Sequence, residues 1–527
     1  MTAFARPLTD PDRSLTRQLD VSTLPTSVRV AVGLGFAAVF LWPIVLLFPD
    51  ALTIEAWSGE VFSAAWFSIW QTVLATTVGV ALSIPLSWAS AELSIPGRTL
   101  LRGLWTLPIV TPAFAVALGA SWIWDGGSPL LILAHAGLGL AIGVRLGSGA
   151  WSMLDPHEAQ TARTLGFGEI QLVRRLYLPA LGRTFVAAWA LAAGLAVSTF
   201  GAAYLLAPDP TATLPLVAGP PGRGAAPSAA GASLVLILLA AAAFVAFLRC
   251  RPAGDSSTIH SPHVSLELLS VPRLVVLALA TLFGLVLAIG PLFALLHGAL
   301  TIGAAEQITN ANLAALADAA RPLEVDSLEA VRRSALLLVV AVGVSLPVGF
   351  VAAVVIAPLR GWAATLIEGA LLLPLALPVV LAAGLRAGGL DSPSWLLFIH
   401  FAIVFPLVVR VVLPGVRARV RTSIEAATVL GASRWTSWRR LVAPTLGAHL
   451  VLAAVLAMAW SVGELGAALL LHRVDSAPVS TAVVFALRDQ TVSGDGRAFA
   501  LATAIVLFVT ILFVTIEHRR PREITEF

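Results

Sequence analysis

Glu464 sits well inside an apolar run, between Gly463 and Gly466. An ionisable group at that depth in a bilayer is costly enough to count as a functional candidate in its own right. Three roles fit it: facing a cation on a solute pathway, holding a gate by a hydrogen bond, or closing the outer end of a helix that the two glycines unwind. Glu368 lies near one end of another apolar run, where a bonded structural role is expected. His135 and His400 stand at matching places in two separate stretches of chain, which points to packing or hydrogen bonding rather than to a metal ion. The chain has one cysteine, Cys250, and its 33 basic residues are all arginine. An intrachain disulfide and a cysteine-based zinc site are excluded. Without lysine there is also no Walker A phosphate loop, no Schiff-base amine and no lysine general base. The expectation is a chain with no catalytic residue, no metal site and no cofactor of its own.

The densest chemistry lies in two polar loops. One reads EAATVLGASRWTSWRRLVAP, from Glu425 to Pro444. Glu425 to Leu430 are compatible with helix, Gly431 can take the left-handed stop, and Ser433 can cap a second helix. Trp435, Trp438, Leu441 and Val442 then share one face, and Pro444 is expected to stop or turn the chain. The other loop, QTARTLGFGEIQLVRRLYLP from Gln160 to Pro179, repeats the layout with Ile170, Val173, Leu176 and Tyr177 as its apolar face. A short amphipathic helix presented twice suits the grooves of a two-fold partner.

The elements that must carry these loops are read from composition. Hydrophobic residues make up 58% of the 527 residues, charged residues 12%, and mean hydropathy is +0.91. Soluble globular chains hold roughly 25% charged residues. A water-soluble fold, a disordered chain and a disulfide scaffold are excluded, and the excess apolar surface must face lipid. Runs of about 20 residues cross a bilayer as helix. Twelve occur, at 28–48, 66–89, 100–122, 129–146, 181–206, 231–248, 273–296, 335–357, 363–385, 395–413, 446–471 and 498–516. With the N-terminus cytoplasmic, all but eight arginines fall on the cytoplasmic side, as the positive-inside rule requires. That places both termini in the cytoplasm of a multi-pass cytoplasmic-membrane protein, with the first span as an uncleaved anchor. The isoelectric point near 10.3 thereby reflects arginines that act as topology signals and gives no reason to expect nucleic acid; lipid is the surrounding partner.

A fixed offset of 265 residues relates His135 to His400, Arg145 to Arg410, Gly166 to Gly431, Pro179 to Pro444, Thr199 to Glu464 and Gly201 to Gly466. LPIVTP at 107–112 answers LPLALP at 373–378 at an offset of 266. The expected architecture is an all-α polytopic membrane protein of about twelve helices in two homologous six-helix halves. Residues 1–260 form the first, with its loop at 146–180, and residues 261–527 the second, with its loop at 413–445. Even span numbers give the halves the same orientation, and a solute pathway is expected between them.

The loop spacing, Glu-Ala-Ala with glycine six residues after the glutamate and proline thirteen after the glycine, resembles the EAA motif of permease subunits in binding-protein-dependent ABC importers. The match rests on Glu425, Ala426, Ala427, Gly431 and Pro444. The first half keeps Ala162, Gly166 and Pro179 but has Gln160 and Thr161 in place of Glu and Ala. FSIWQT at 67–72, IPGRTLLR at 95–102 and the C-terminal stretch 494–520 resemble the fused permeases of thiamine and ferric-iron importers. The resemblance implies a type I importer permease fold that makes no chemical bond itself. Two copies of a cytoplasmic ABC ATPase, holding ATP-Mg, would grip Gln160, Ala162, Gly166, Ile170, Val173 and Pro179 in one loop. In the other they would grip Glu425, Ala426, Ala427, Gly431, Ser433, Trp435, Trp438 and Pro444. An extracytoplasmic solute-binding protein would deliver thiamine, a related small cation or ferric iron. Glu464 and Gly466, with Thr199 and Gly201, are the expected pathway or gate. The rival is an ion-coupled secondary transporter with two six-helix repeats, which would ordinarily need more buried acidic residues than this chain offers.

Overall fold

The computed structural model describes residues 24–519 apart from 95–96, 124–126, 210–211, 220–226, 252–263, 265–268, 303–306, 315, 317–325, 418–426, 428–429, 438, 441–442, 472–476 and 489–491. The described residues are almost entirely helical, and the chain is a multi-pass membrane protein. The first part runs α1 (Thr26–Val45), α2 (Gly59–Glu92), α3 (Arg98–Thr106), α4 (Ala113–Ile123), α5 (Ser128–Ser152), α6 (Pro156–Thr164), α7 (Glu169–Leu172), α8 (Leu178–Val197), α9 (Phe200–Leu206), α10 (Leu214–Ala218) and α11 (Pro227–Cys250). The second runs α12 (Val271–Leu300), α13 (Ser327–Ile356), α14 (Gly361–Ala376), α15 (Pro378–Ala387), α16 (Trp395–Gly415), α17 (Arg434–Ser437), α18 (Ala443–Val462), α19 (Gly466–Leu471), α20 (Val479–Arg488) and α21 (Val492–Arg519).

Among the described residues nine helices are long and apolar enough to cross a bilayer, eleven if each of two bent pairs counts as one span, and Leu446–Val462 and Val479–Arg488 are shorter apolar helices. Four expected spans are thereby corrected. The runs at 100–122 and 363–385 are not straight: they bend by 100° between Ile109 and Ala113 and by 79° at Leu377. Pro112 and Pro378 cannot donate to the preceding turn, which is where each helix stops. The runs at 181–206 and 446–471 each break as well, at 198–199 and 463–465, so that α9 and α19 are separate short helices.

Lipid is as apolar as the helix faces, so association depends on close packing of small residues. α2 and α5 meet along Gly79, Gly139, Gly143 and Gly147. A Cβ on Gly79 would lie 2.7 Å from Leu140 N and one on Gly147 2.7 Å from Ser87 Oγ. The hydroxyls in this seam donate to their own helix, Ser83 to Val80 O at 2.7 Å and Ser87 to Ile84 O at 2.8 Å, so they bring no unsatisfied polarity.

The opening helix of each part packs on the other part. α1 lies against α13 to α16: Phe40 meets Phe405 with ring centroids 4.9 Å apart, and Trp42 meets Trp395 at 5.9 Å. α12 lies against α2 to α5, where Gly284 admits Leu86 and Trp122 meets His297 at 5.9 Å. The far side of α12 exposes Val275, Leu279, Leu282, Phe283 and Val286, a surface that only lipid or another apolar body would cover.

Candidate functional site

All four helix interruptions converge on one cavity of about 140 Å³. Its lining includes the bend at 108–113, the breaks at 198–200 and 463–466, and Leu375, Ala376, Pro378 and Val379 from the second bend. The four residues expected on the pathway, Thr199, Gly201, Glu464 and Gly466, are all in it. The volume is below the roughly 300–1,000 Å³ of a drug-sized ligand site, so a larger solute requires the walls to part.

Each break has a local cause. Ser198 Oγ donates to Gly194 O at 2.9 Å and Thr199 Oγ1 to Leu195 O at 2.8 Å, which draws protons onto the last carbonyls of α8 while Thr199 turns extended. At the equivalent place Gly463 ends α18, and Glu464 reaches forward to accept from Ala467 N at 2.7 Å. Glu464 therefore both lines the cavity and caps α19, and its main-chain oxygen accepts from Ser480 Oγ at 2.7 Å. Gly466 and Gly201 allow close approach. A Cβ on Gly466 would lie 2.9 Å from Phe200, and one on Gly201 would lie 3.1 Å from the Phe114 side chain.

Sequence reasoning did not place His135 here. It lines the cavity, and its Nδ1 lies 3.0 Å from Gln71 Oε1; the matching His400 lies 2.8 Å from Ser461 Oγ. Hydrogen bonding is thus the role of both rings, as their types and places suggest. The polar Gln71 within an apolar run was the available signal. Glu368, 6% exposed, is ion-paired to Arg251 at 2.8 Å and Arg417 at 2.7 Å, and Arg417 Nε also donates to Ala357 O at 3.1 Å. This is the bonded structural role expected of it.

The two polar loops share a glycine-closed turn. Gly166 and Gly431 have φ of +83° and +81°, where a side chain is strained. Phe167 N donates to Ala162 O at 3.0 Å and Ala432 N to Ala427 O at 2.9 Å, the six-to-one bond of a Schellman stop. The alanines of the motif thus supply the accepting carbonyls of the stop. Asp155 caps α6 by accepting from His157 N at 2.9 Å, and Ser433 accepts from Thr436 N at 3.2 Å. Beyond Gly166 the expected stop before the next span is corrected. α7 runs through a wider turn at Val173–Tyr177 straight into α8, with Leu178 N bonding Val173 O. Pro179 is the second residue of α8 and Pro444 the second of α18, so neither ends a helix. Ile170 and Val173 are exposed, Leu176 and Tyr177 are half-buried, and Leu172 is buried instead. Gln160 is exposed and Ala162 half-buried, while Ala427 is buried. Glu425, Ala426 and Trp438 lie outside the described residues, and only the main chain of Trp435 and Pro444 is described.

No family model matches the chain. It is similar to the thiamine transport system permease protein of Brucella abortus, 28% identical over 220 residues that make up 36% of this chain and 40% of that protein. The Brucella suis protein of the same name gives the same figures. A probable molybdenum ABC transporter permease protein of Haloferax volcanii is 28% identical over 190 residues, 32% of this chain and 67% of that protein. The matched region thus spans about 40% of the length of the thiamine-system relatives. The resemblance to ABC importer permeases read from the EAA-type loops agrees with these relatives.

Proposed function

We propose that the chain is the permease of an ABC importer, moving a small solute across the cytoplasmic membrane without itself catalysing a reaction. The observation that carries this is the doubled turn: two polar loops close on a left-handed glycine by the same Schellman bond, and the first presents exposed Ile170 and Val173 just beyond. Two cytoplasmic ABC ATPases would seat on them, binding ATP-Mg and passing their closure to α8 and α18. Because α7 is continuous with α8, a push on the loop reaches the Thr199 break without an intervening joint. The arginine bias supports both termini in the cytoplasm, which puts these loops on the ATPase side. An extracytoplasmic binding protein would load the cavity from the opposite face.

Thiamine or a related small cation is the solute favoured by the relatives' names and the local sequence likeness, with ferric iron as the other choice. The test is reconstitution in liposomes. ATP enclosed with a co-purified P-loop ATPase should drive uptake, and the chain alone under a proton or sodium gradient should not. Accumulation driven by the ion gradient alone would replace this reading with a secondary transporter.

A further inference from the structure

His135 has one ring nitrogen committed and one open. Nδ1 lies 3.0 Å from Gln71 Oε1. The Gln71 amide is oriented by its own donors, since Nε2 gives hydrogen bonds to Thr72 Oγ1 at 2.7 Å and Ser68 O at 3.3 Å. An amide oxygen only accepts, so Nδ1 carries the proton and Nε2 of the neutral ring is a lone-pair acceptor. That Nε2 is buried and has no hydrogen-bond partner among the described residues. His135 belongs to the cavity lining and Gln71 does not, and Nε2 is the ring nitrogen without a protein partner among the described residues.

The other polar side chains of the lining have spent their protons. Thr111 donates to Leu107 O, Ser198 to Gly194 O and Thr199 to Leu195 O, while Trp460 donates to Ile109 O. What the side chains offer inward is acceptors, together with the Glu464 carboxylate, the one acidic group among the described lining residues, which include no arginine. Helix ends pull both ways here. Each break brings the carbonyl end of one helix and the amide end of the next to the same space, so partial charges of about half a unit oppose each other. At α19 the amide end is already occupied by Glu464.

We propose that His135 Nε2 and the Glu464 carboxylate together select a cationic solute that carries hydrogen-bond donors, and reject oxyanions, with Gln71 as the positioning residue that holds His135 in its accepting tautomer. This rests on the importer reading above, with its small cationic solute, and adds to it the residues that sense the charge and the exclusion of oxyanions. An oxyanion entering the cavity meets a carboxylate and a lone pair, with no side chain to donate to it.

The test uses the full chain with its co-purified ATPase and binding protein in ATP-loaded liposomes, measuring uptake of thiamine and of molybdate side by side. The expected result is uptake of thiamine and none of molybdate. Glu464→Gln and His135→Phe should each raise KM for thiamine about tenfold, the scale of one hydrogen bond to a charged group. Gln71→Met should raise KM while largely keeping kcat, as loss of uniform binding does. Molybdate uptake, unchanged KM in the variants, or uptake of neither solute by a complex whose ATPase responds to its binding protein overturns the proposal. A complex with no ATP-driven response at all instead removes the importer reading, and this proposal with it. Should His135→Phe not fold, the wild-type preference and the near-isosteric Glu464→Gln still decide.

Discussion

Trp460 donates its indole N–H to the main-chain oxygen of Ile109 across 3.1 Å. The donor belongs to α18 and the acceptor to the bend before α4, so a single bond joins the two parts of the chain at the cavity wall. Ile109 has an oxygen to offer because the bend frees it from helical pairing. At another point of contact between the parts, Arg488 donates to Tyr204 Oη at 2.7 Å, and Tyr204 stacks on Phe200 of the lining. Any opening that parts these walls has to break such bonds.

Trp460→Phe keeps the ring and removes the bond. The net worth of one such bond is about 1 kcal/mol, which on the proposed importer reading is a shift of roughly fivefold between closed and open forms. ATPase activity measured without solute should rise several-fold, with a small fall in melting temperature. Unchanged basal activity would mean this contact persists through the cycle.

Glu368 and Glu464 should respond differently to loss of charge. Glu368→Gln leaves Arg251 and Arg417 without their shared carboxylate at the junction of α11, α14 and the end of α16. A fully buried pair costs about 3–5 kcal/mol to break; both arginines are 25% exposed, so about 2–3 kcal/mol is expected after discounting for solvent. Melting temperature and membrane yield should fall clearly. Glu464→Gln keeps an oxygen for Ala467 N and should melt nearly as wild type while transport changes. Thermal unfolding in detergent paired with uptake separates the two, and the reverse ranking would move the functional carboxylate to Glu368.

Much of this was legible in the sequence, for physical reasons that differ from residue to residue. Gly166 and Gly431 were readable because a left-handed stop admits almost only glycine, and its place after Ala162 and Ala427 fixes the bond. Most of the spans were readable from length and hydropathy, nine as single helices and two as bent pairs. The bends were not, although Pro108, Pro112 and Pro378 were in view, since both arms of each bend are apolar and a hydropathy window passes over the corner. The exchange of α1 and α12 left no trace either: a helix facing lipid and one facing protein are equally apolar, and only rings such as Phe40 against Phe405 reveal the partner. His135 was visible as a type, but its facing depends on the pairing of α5 with α2 and hence on Gln71.

Gly79→Ala tests the α2–α5 seam. The added methyl would meet the main chain of Ala136 and Leu140 rather than a flexible side chain, so the helices must separate. Overpacking of this kind costs about 1–3 kcal/mol. Gly35→Ala, where a Cβ would have open space, is the control and should be neutral. Equal melting temperatures for the two would show that the seam is looser than its geometry.

The loop glycines should fail in a graded way. Gly166→Ala and Gly431→Ala each put a Cβ at positive φ, costing about 1–2 kcal/mol in the turn, and neither meets a neighbouring atom, so the strain is purely of the backbone. Asparagine tolerates this conformation better than alanine. Uptake should therefore fall in the order glycine, asparagine, alanine, with insertion and melting temperature of the bundle little changed, because the turns lie outside the buried core. Proline at both positions cannot reach positive φ and also lacks the N–H that bonds Arg163 O in the first loop, so Gly166→Pro with Gly431→Pro should abolish uptake and ATPase retention together. Uptake that survives the double proline variant would show that these turns carry no force.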